Sequence, residues 1–146
     1  MLIERELYNK IVTTCPNVPP ETGGILGGYK NVINTFKFDK FEDNCCKNSY
    51  RPNVSHLNDV IQQWANDGIE FYGLFHSHVP DEKNLSMPDK GYIQNIMAQI
   101  PSDILRLYFP IIFPNDKMVG FVARRNGNGI NIEEDIISFV NADANT

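Results

Sequence analysis

Phe75-His-Ser-His-Val-Pro-Asp-Glu-Lys-Asn-Leu-Ser-Met-Pro-Asp89 is the stretch on which the reading of this chain turns. Apolar residues run from position 69 into it, the pattern of a buried strand that ends at two histidines. On a strand, residues i and i+2 share a face, so His76 and His78 present their imidazoles side by side and Ser77 points away. A loop of mostly polar residues, 79–85, lets the chain reverse. Ser86-Met-Pro-Asp89 then opens a helix, with serine as N-cap, proline early in the first turn and an acid at the third helical position. Two imidazoles and a carboxylate in so short a span are first-row metal ligands of the type zinc takes in catalytic sites. Three protein ligands leave one position open, whereas structural sites fill all four, usually with cysteines. A simpler account also fits: Ser86 and Asp89 as a cap alone, and the histidines as an ordinary strand pair. Capping does not explain the histidines, and the two roles are compatible.

Outward from this stretch, the chain alternates helical and strand periodicities. Leu2, Ile3, Leu7, Ile11 and Val12 give an amphipathic helix over residues 2–14, closed by Cys15-Pro16. Glu21-Thr-Gly-Gly-Ile-Leu-Gly-Gly28 reads as a glycine-weakened strand, and residues 32–41 as a second one after a turn. Residues 42–53 form a polar connection. Leu57, Val60, Ile61 and Trp64 stand at i, i+3, i+4 and i+7 of the clearest helix, 55–67, with Asn53 or Ser55 as cap and Gly68 at its end. Beyond the helix that Ser86 opens, residues 104–113 and 118–125 are apolar runs of strand length. Asn126-Gly-Asn-Gly129 is a hairpin turn leading to a short strand at 130–132. Residues 136–140 suit strand or helix equally. The expected fold is α/β: a single layered domain, residues 1–140, with a mixed and mostly antiparallel sheet flanked by helices, and a frayed tail at 141–146.

Composition narrows the function classes. The 146 residues are 42% hydrophobic and 21% charged, which fits one ordinary globular domain. A net charge of −5 disfavours binding to nucleic-acid backbones, which requires a basic face. No apolar run approaches the roughly 20 residues of a membrane span. Three cysteines, with Cys45 and Cys46 adjacent, make neither a disulfide framework nor a structural zinc site, and the expected compartment is the cytoplasm. His56, beside a helix start, reads as a solvated residue. Gly28 is followed by Tyr29-Lys30, so the glycine-rich strand is no P-loop. Glycines there mark instead a segment whose backbone can be closely approached.

Glu21, then His76-Ser-His78, seven residues, Ser86, two residues and Asp89 resembles the signature of the JAMM (JAB/MPN) zinc metallopeptidases, small stand-alone prokaryotic-type members in particular. Glu21-Thr-Gly-Gly-Ile-Leu-Gly27 also looks like that family's glutamate-bearing strand. Val79 departs from the proline that many members carry after the second histidine; Pro80 follows one residue later. The resemblance implies a cytidine-deaminase-like layered fold and one Zn2+ per chain on His76, His78 and Asp89. It implies Glu21 as general base and Ser86 as hydrogen-bond donor to the oxyanion, and leaves Ser77 supporting the ligands. The substrate implied is a ubiquitin-like or sulfur-carrier protein whose C-terminal Gly-Gly tail binds as an extended strand. Neither nucleic acid nor a membrane is an expected partner.

Three alternatives remain to be weighed against deconjugation. One is processing of a sulfur-carrier or ubiquitin-like precursor. Another is a non-catalytic MPN scaffold in a larger assembly, although such domains lack some of the five residues present here. The last, a zinc deaminase, needs His-x-Glu and Pro-Cys-x-x-Cys, and the sequence has neither.

Overall fold

A computed structural model describes residues 1–16, 22–39, 52–78 and 84–141. Its elements in chain order are β1 (Leu2–Glu4), α1 (Arg5–Thr14), β2 (Gly23–Tyr29), β3 (Val32–Phe38), α2 (Val54–Asn66) and β4 (Glu70–Ser77). Then follow α3 (Met87–Gln99), β5 (Arg106–Tyr108), β6 (Ile111–Phe113), β7 (Lys117–Val119), β8 (Phe121–Asn126), β9 (Gly129–Glu134) and β10 (Ser138–Val140). The class is α/β, with three helices against one mixed, curled sheet of ten strands among the described residues. The main path runs β10-β1-β3-β2-β4-β5-β8-β9, and β6 and β7 continue from β4 off that path.

Period-two alternation divides the interior into two cores. Ile25, Leu74, Leu107, Ile111 and Phe121 face one side, where Leu57, Val60 and Trp64 of α2 and Ile93 and Met97 of α3 meet them. Their neighbours Leu26, Phe75, Tyr108, Ile112 and Val122 face the other side, against Leu7, Ile11 and Val12 of α1. Helices therefore cover both faces of the sheet. By the same alternation His76 and His78 point with Leu74 toward α2 and α3, while Ser77 points with Phe75 toward α1.

Local signals account for most element ends. Asn53, not Ser55, caps α2: its Oδ1 accepts from the His56 N–H at 3.2 Å. Lys30 and Asn31 have φ of +50° and +68°, the two left-handed residues of a type I′ hairpin between β2 and β3. The expected turn within Asn126–Gly129 joins β8 to β9, with Gly127-Asn128 as its two central residues and Gly127 at φ +60°. Gly27 is packed rather than open: a Cβ there would lie 2.5 Å from the Trp64 ring. Close approach to the glycine-rich strand is thus made by the protein's own α2.

Three expectations change. Leu2–Glu4 is strand, so the first helix begins at Arg5 and not at residue 2. Apolar residues there suit a helix face or a strand; what decides is pairing with β3 on one side and β10 on the other, both parallel. Residues 136–140, undecided by pattern, supply that β10 partner. The runs 104–113 and 118–125 each break into two strands, at Phe109-Pro110 and Gly120. Pro110 has no N–H to give, and the break lets β4 bond β5 at Gly73 and β6 at His76 and Ser77. No helix among the described residues is long and apolar enough to cross a membrane. The expected tail lies almost wholly outside the described residues, as do Cys45 and Cys46.

Candidate metal centre

The end of β4 is held on both sides before any ligand is considered. His76 stands opposite Gly23 of β2 and Ile111 of β6. The His76 N–H donates to the Pro110 carbonyl at 3.3 Å, the Ser77 N–H to Thr22 at 2.7 Å, and the His78 N–H to Ile112 at 3.0 Å. Backbone amides thus fix both histidine Cα positions, and the i, i+2 geometry brings their rings to 4.6 Å between centroids. Asp89 arrives from α3 by a purely local device. The Ser86 hydroxyl accepts from the Asp89 N–H at 3.1 Å while Asp89 Oδ2 accepts from the Ser86 N–H at 2.9 Å, a capping box.

The three donor atoms converge. His76 Nε2 lies 2.8 Å from His78 Nε2 and 3.3 Å from Asp89 Oδ2, and His78 Nε2 lies 2.9 Å from Asp89 Oδ2. All three residues are buried, His76 completely. Tetrahedral zinc with bonds of about 2.0–2.1 Å separates its ligand atoms by roughly 3.3 Å, so this triangle accepts the ion after an outward shift of a few tenths of an ångström. The charge states fit as well. Burial holds the His76 imidazole below its usual pKa despite the pull of Asp89, so its neutral form is favoured. Burial would raise Asp89, but hydrogen bonds from His76 and His78 and from the Ser86 amide keep it well below the usual carboxylate range. Neutral imidazole and ionised carboxylate are the forms that bind a cation. The chain can hold a metal ion here.

No family model matches the sequence, and none of the curated proteins does. Solved structures match. The solution structure of a protein from Desulfitobacterium hafniense superposes with a TM-score of 0.61 at 18% identity, covering 97% of this chain and 95% of that one. The likeness is one of fold.

The remaining site residues divide by position. Ser86 is half-buried at the N-terminus of α3, and because its oxygen accepts within the capping box its own O–H proton stays available. Ser77 faces away from the triad, as its place in the strand demands: its Oγ accepts from the Thr22 N–H at 2.8 Å and touches the Cys15 thiol. Thr22, the sequence neighbour of Glu21, is therefore tied by both backbone groups to the residue between the two histidines. Its Oγ1 is buried without a hydrogen-bond partner among the described residues. Glu21 itself lies outside the described residues, as does the loop over 79–83.

Two residues were misread or passed over in the sequence. His56 is half-buried, and its Nε2 is enclosed with no partner among the described residues, so it is not a solvated side chain. Tyr92 of α3 was not singled out, yet its hydroxyl lies 2.9 Å from His76 Nδ1. The available signal was its position three residues after Asp89, on the same helix face. An aromatic residue on a buried face reads as core, and Tyr92 does pack edge-on against Phe109.

Proposed function

We propose that this protein is a zinc-dependent peptidase of the JAMM (JAB/MPN) type, cleaving a peptide or isopeptide bond after the C-terminal Gly-Gly of a ubiquitin-like protein. The observation that carries the reading is the buried convergence of His76 Nε2, His78 Nε2 and Asp89 Oδ2 beside the Ser86 hydroxyl. Its support from the fold is a mixed α/β sheet with helices on both faces, in which the His-x-His strand runs centrally and leads to the Ser-x-x-Asp helix start. Zinc held by the triad supplies Lewis acidity, polarising a carbonyl and acidifying water toward neutral pH.

The chain's own groups divide the rest of the work. Glu21 takes a proton from the attacking water and returns it to the leaving amine, the general acid–base role. The Ser86 O–H donates to the oxygen of the scissile carbonyl as negative charge builds on it. Asp89 and the histidines stay fixed, because their backbones belong to a capped helix and a strand bonded on both edges. β2 is paired with β3 and β4 along its length, so a Gly-Gly tail binding as an added strand requires a different edge. Retention of His76, His78, Ser86 and Asp89 together favours an enzyme over a scaffold.

Metal analysis paired with cleavage assays tests this reading. Purified protein is expected to carry close to one zinc per chain and to cut a ubiquitin-like fusion, with activity abolished by chelator. Glu21→Gln should keep the metal and lose turnover by roughly 10²–10⁴-fold, whereas His78→Ala should lose the metal. A protein that binds no zinc with its three ligands intact is not this enzyme. Offering a linear fusion and a lysine-linked conjugate side by side separates precursor processing from deconjugation.

A further inference from the structure

His76 is the one ligand whose ring has no exposed surface, so whatever its second nitrogen needs must come from the protein. A neutral imidazole carries a single N–H, and an Nε2 that offers its lone pair to a cation leaves that proton on Nδ1. A buried donor without an acceptor is costly, and metal-bound histidines in general hand this proton to a carbonyl, carboxylate or similar acceptor. At His76 Nδ1 the group in place is the Tyr92 hydroxyl, 2.9 Å away, with the two rings edge-on at 5.7 Å between centroids.

We propose that Tyr92 is a positioning residue for the metal centre, accepting the Nδ1 proton of His76 and so holding its Nε2 lone pair toward His78 and Asp89. The inference rests on the metal reading above and names a residue of the chain that sets the ligand geometry from behind. Its own placement is well determined. Tyr92 follows Asp89 by three residues on α3, so the helix that delivers the carboxylate also delivers the phenol, and one capping box orients both. The ring is wedged against Phe109 at 6.2 Å and forms part of the wall of a cavity of about 350 Å³ between α2 and α3, with Leu57, Ile61, Phe71 and Ile96. Rotation of the ring away from His76 is opposed by Phe109. The phenolic oxygen serves because a hydroxyl can accept through either lone pair while its own proton points elsewhere.

The test compares zinc affinity and imidazole tautomer in wild type, Tyr92→Phe and Ile96→Ala. Tyr92→Phe keeps the ring packing and removes only the oxygen. Ile96→Ala loosens the same helix without touching His76. Competition with a chromogenic chelator is expected to give a 10–100-fold weaker zinc affinity for Tyr92→Phe, the usual cost of losing such a partner, and a change below twofold for Ile96→Ala. In zinc-loaded wild type, long-range proton–nitrogen spectra should show His76 protonated at Nδ1, with that proton protected from exchange and the protection lost in Tyr92→Phe. Zinc binding by Tyr92→Phe within twofold of wild type overturns the proposal and leaves the metal site standing. Absence of zinc from the wild type overturns the metal reading and the positioning role together. If Tyr92→Phe does not fold, the wild-type spectrum decides alone: an Nε2-protonated His76 in the loaded protein sinks the idea.

Discussion

Under the proposed peptidase reading Ser86 would serve two purposes through different parts of one hydroxyl, and substitution can separate them. Its oxygen caps α3, and the proposed role gives its proton to the carbonyl undergoing attack. Ser86→Gly should cost only a few tenths of a kcal/mol, since glycine is a tolerable N-cap, while Ser86→Ala should cost about 1 kcal/mol. Both variants lack the donor, so both should lose about 10²–10³-fold in kcat. Thermal melts and turnover measured on the pair would show activity falling equally while stability does not; a kcat that tracks stability would remove the oxyanion role. Cys15 tests the opposite face of β4. Burial pushes its thiol from the usual 9.0 up to about 11, with the Ser77 contact pulling it partly back. At pH 8 it should resist iodoacetamide in the folded protein and react once unfolded, as read by peptide mass spectrometry. The folded chain keeps this proton where the unfolded chain releases it, so the stabilisation is complete below pH 9 and lost as pH rises toward 11. Cys15→Ala should lack that component of the alkaline decline.

Elements were legible in the sequence where their causes are local. The capping box of α3 is four consecutive residues and stands where the pattern placed it, and the apolar run that meets the histidines is β4, one residue shorter at each end than the expected 69–78. Leu2–Glu4 was not legible, because the partners that make it a strand include Ser138, Phe139 and Val140 at the other end of the chain. The break at Phe109-Pro110 was hidden for a related reason. A proline inside an apolar run shows that one N–H is missing, but not that β4 must change partner beside it. Tyr92 escaped notice because core packing already explained it. Gly73 is the element-scale counterpart. Its φ is +149° and a Cβ would meet the Tyr108 carbonyl oxygen, where β4 meets β5. Gly73→Ala should cost about 1–3 kcal/mol from the backbone conformation, with more from that clash. A lower urea midpoint with unchanged slope would register it; an unaltered midpoint would mean that the strand accommodates a side chain there.

Across the described residues the two cores lie on opposite faces of the sheet, and β4 is one of the strands that serve both. Leu74 belongs to one core and Phe75 to the other, and β2, β5 and β6 flank the strand. His76 and His78, attached to this strand, share the fate of a backbone paired on both edges. Amide hydrogen exchange makes this measurable. The N–H groups of His76, Ser77 and His78 are bonded to Pro110, Thr22 and Ile112, and they should exchange only through opening close to global unfolding. The first turn of α3 and the helix ends should exchange far sooner. An ion in the triad can then leave by rearrangement of its ligands, Asp89 in the first turn of α3 among them, within an intact sheet. Its release rate should stay flat as denaturant rises, and climb only where the whole protein comes apart.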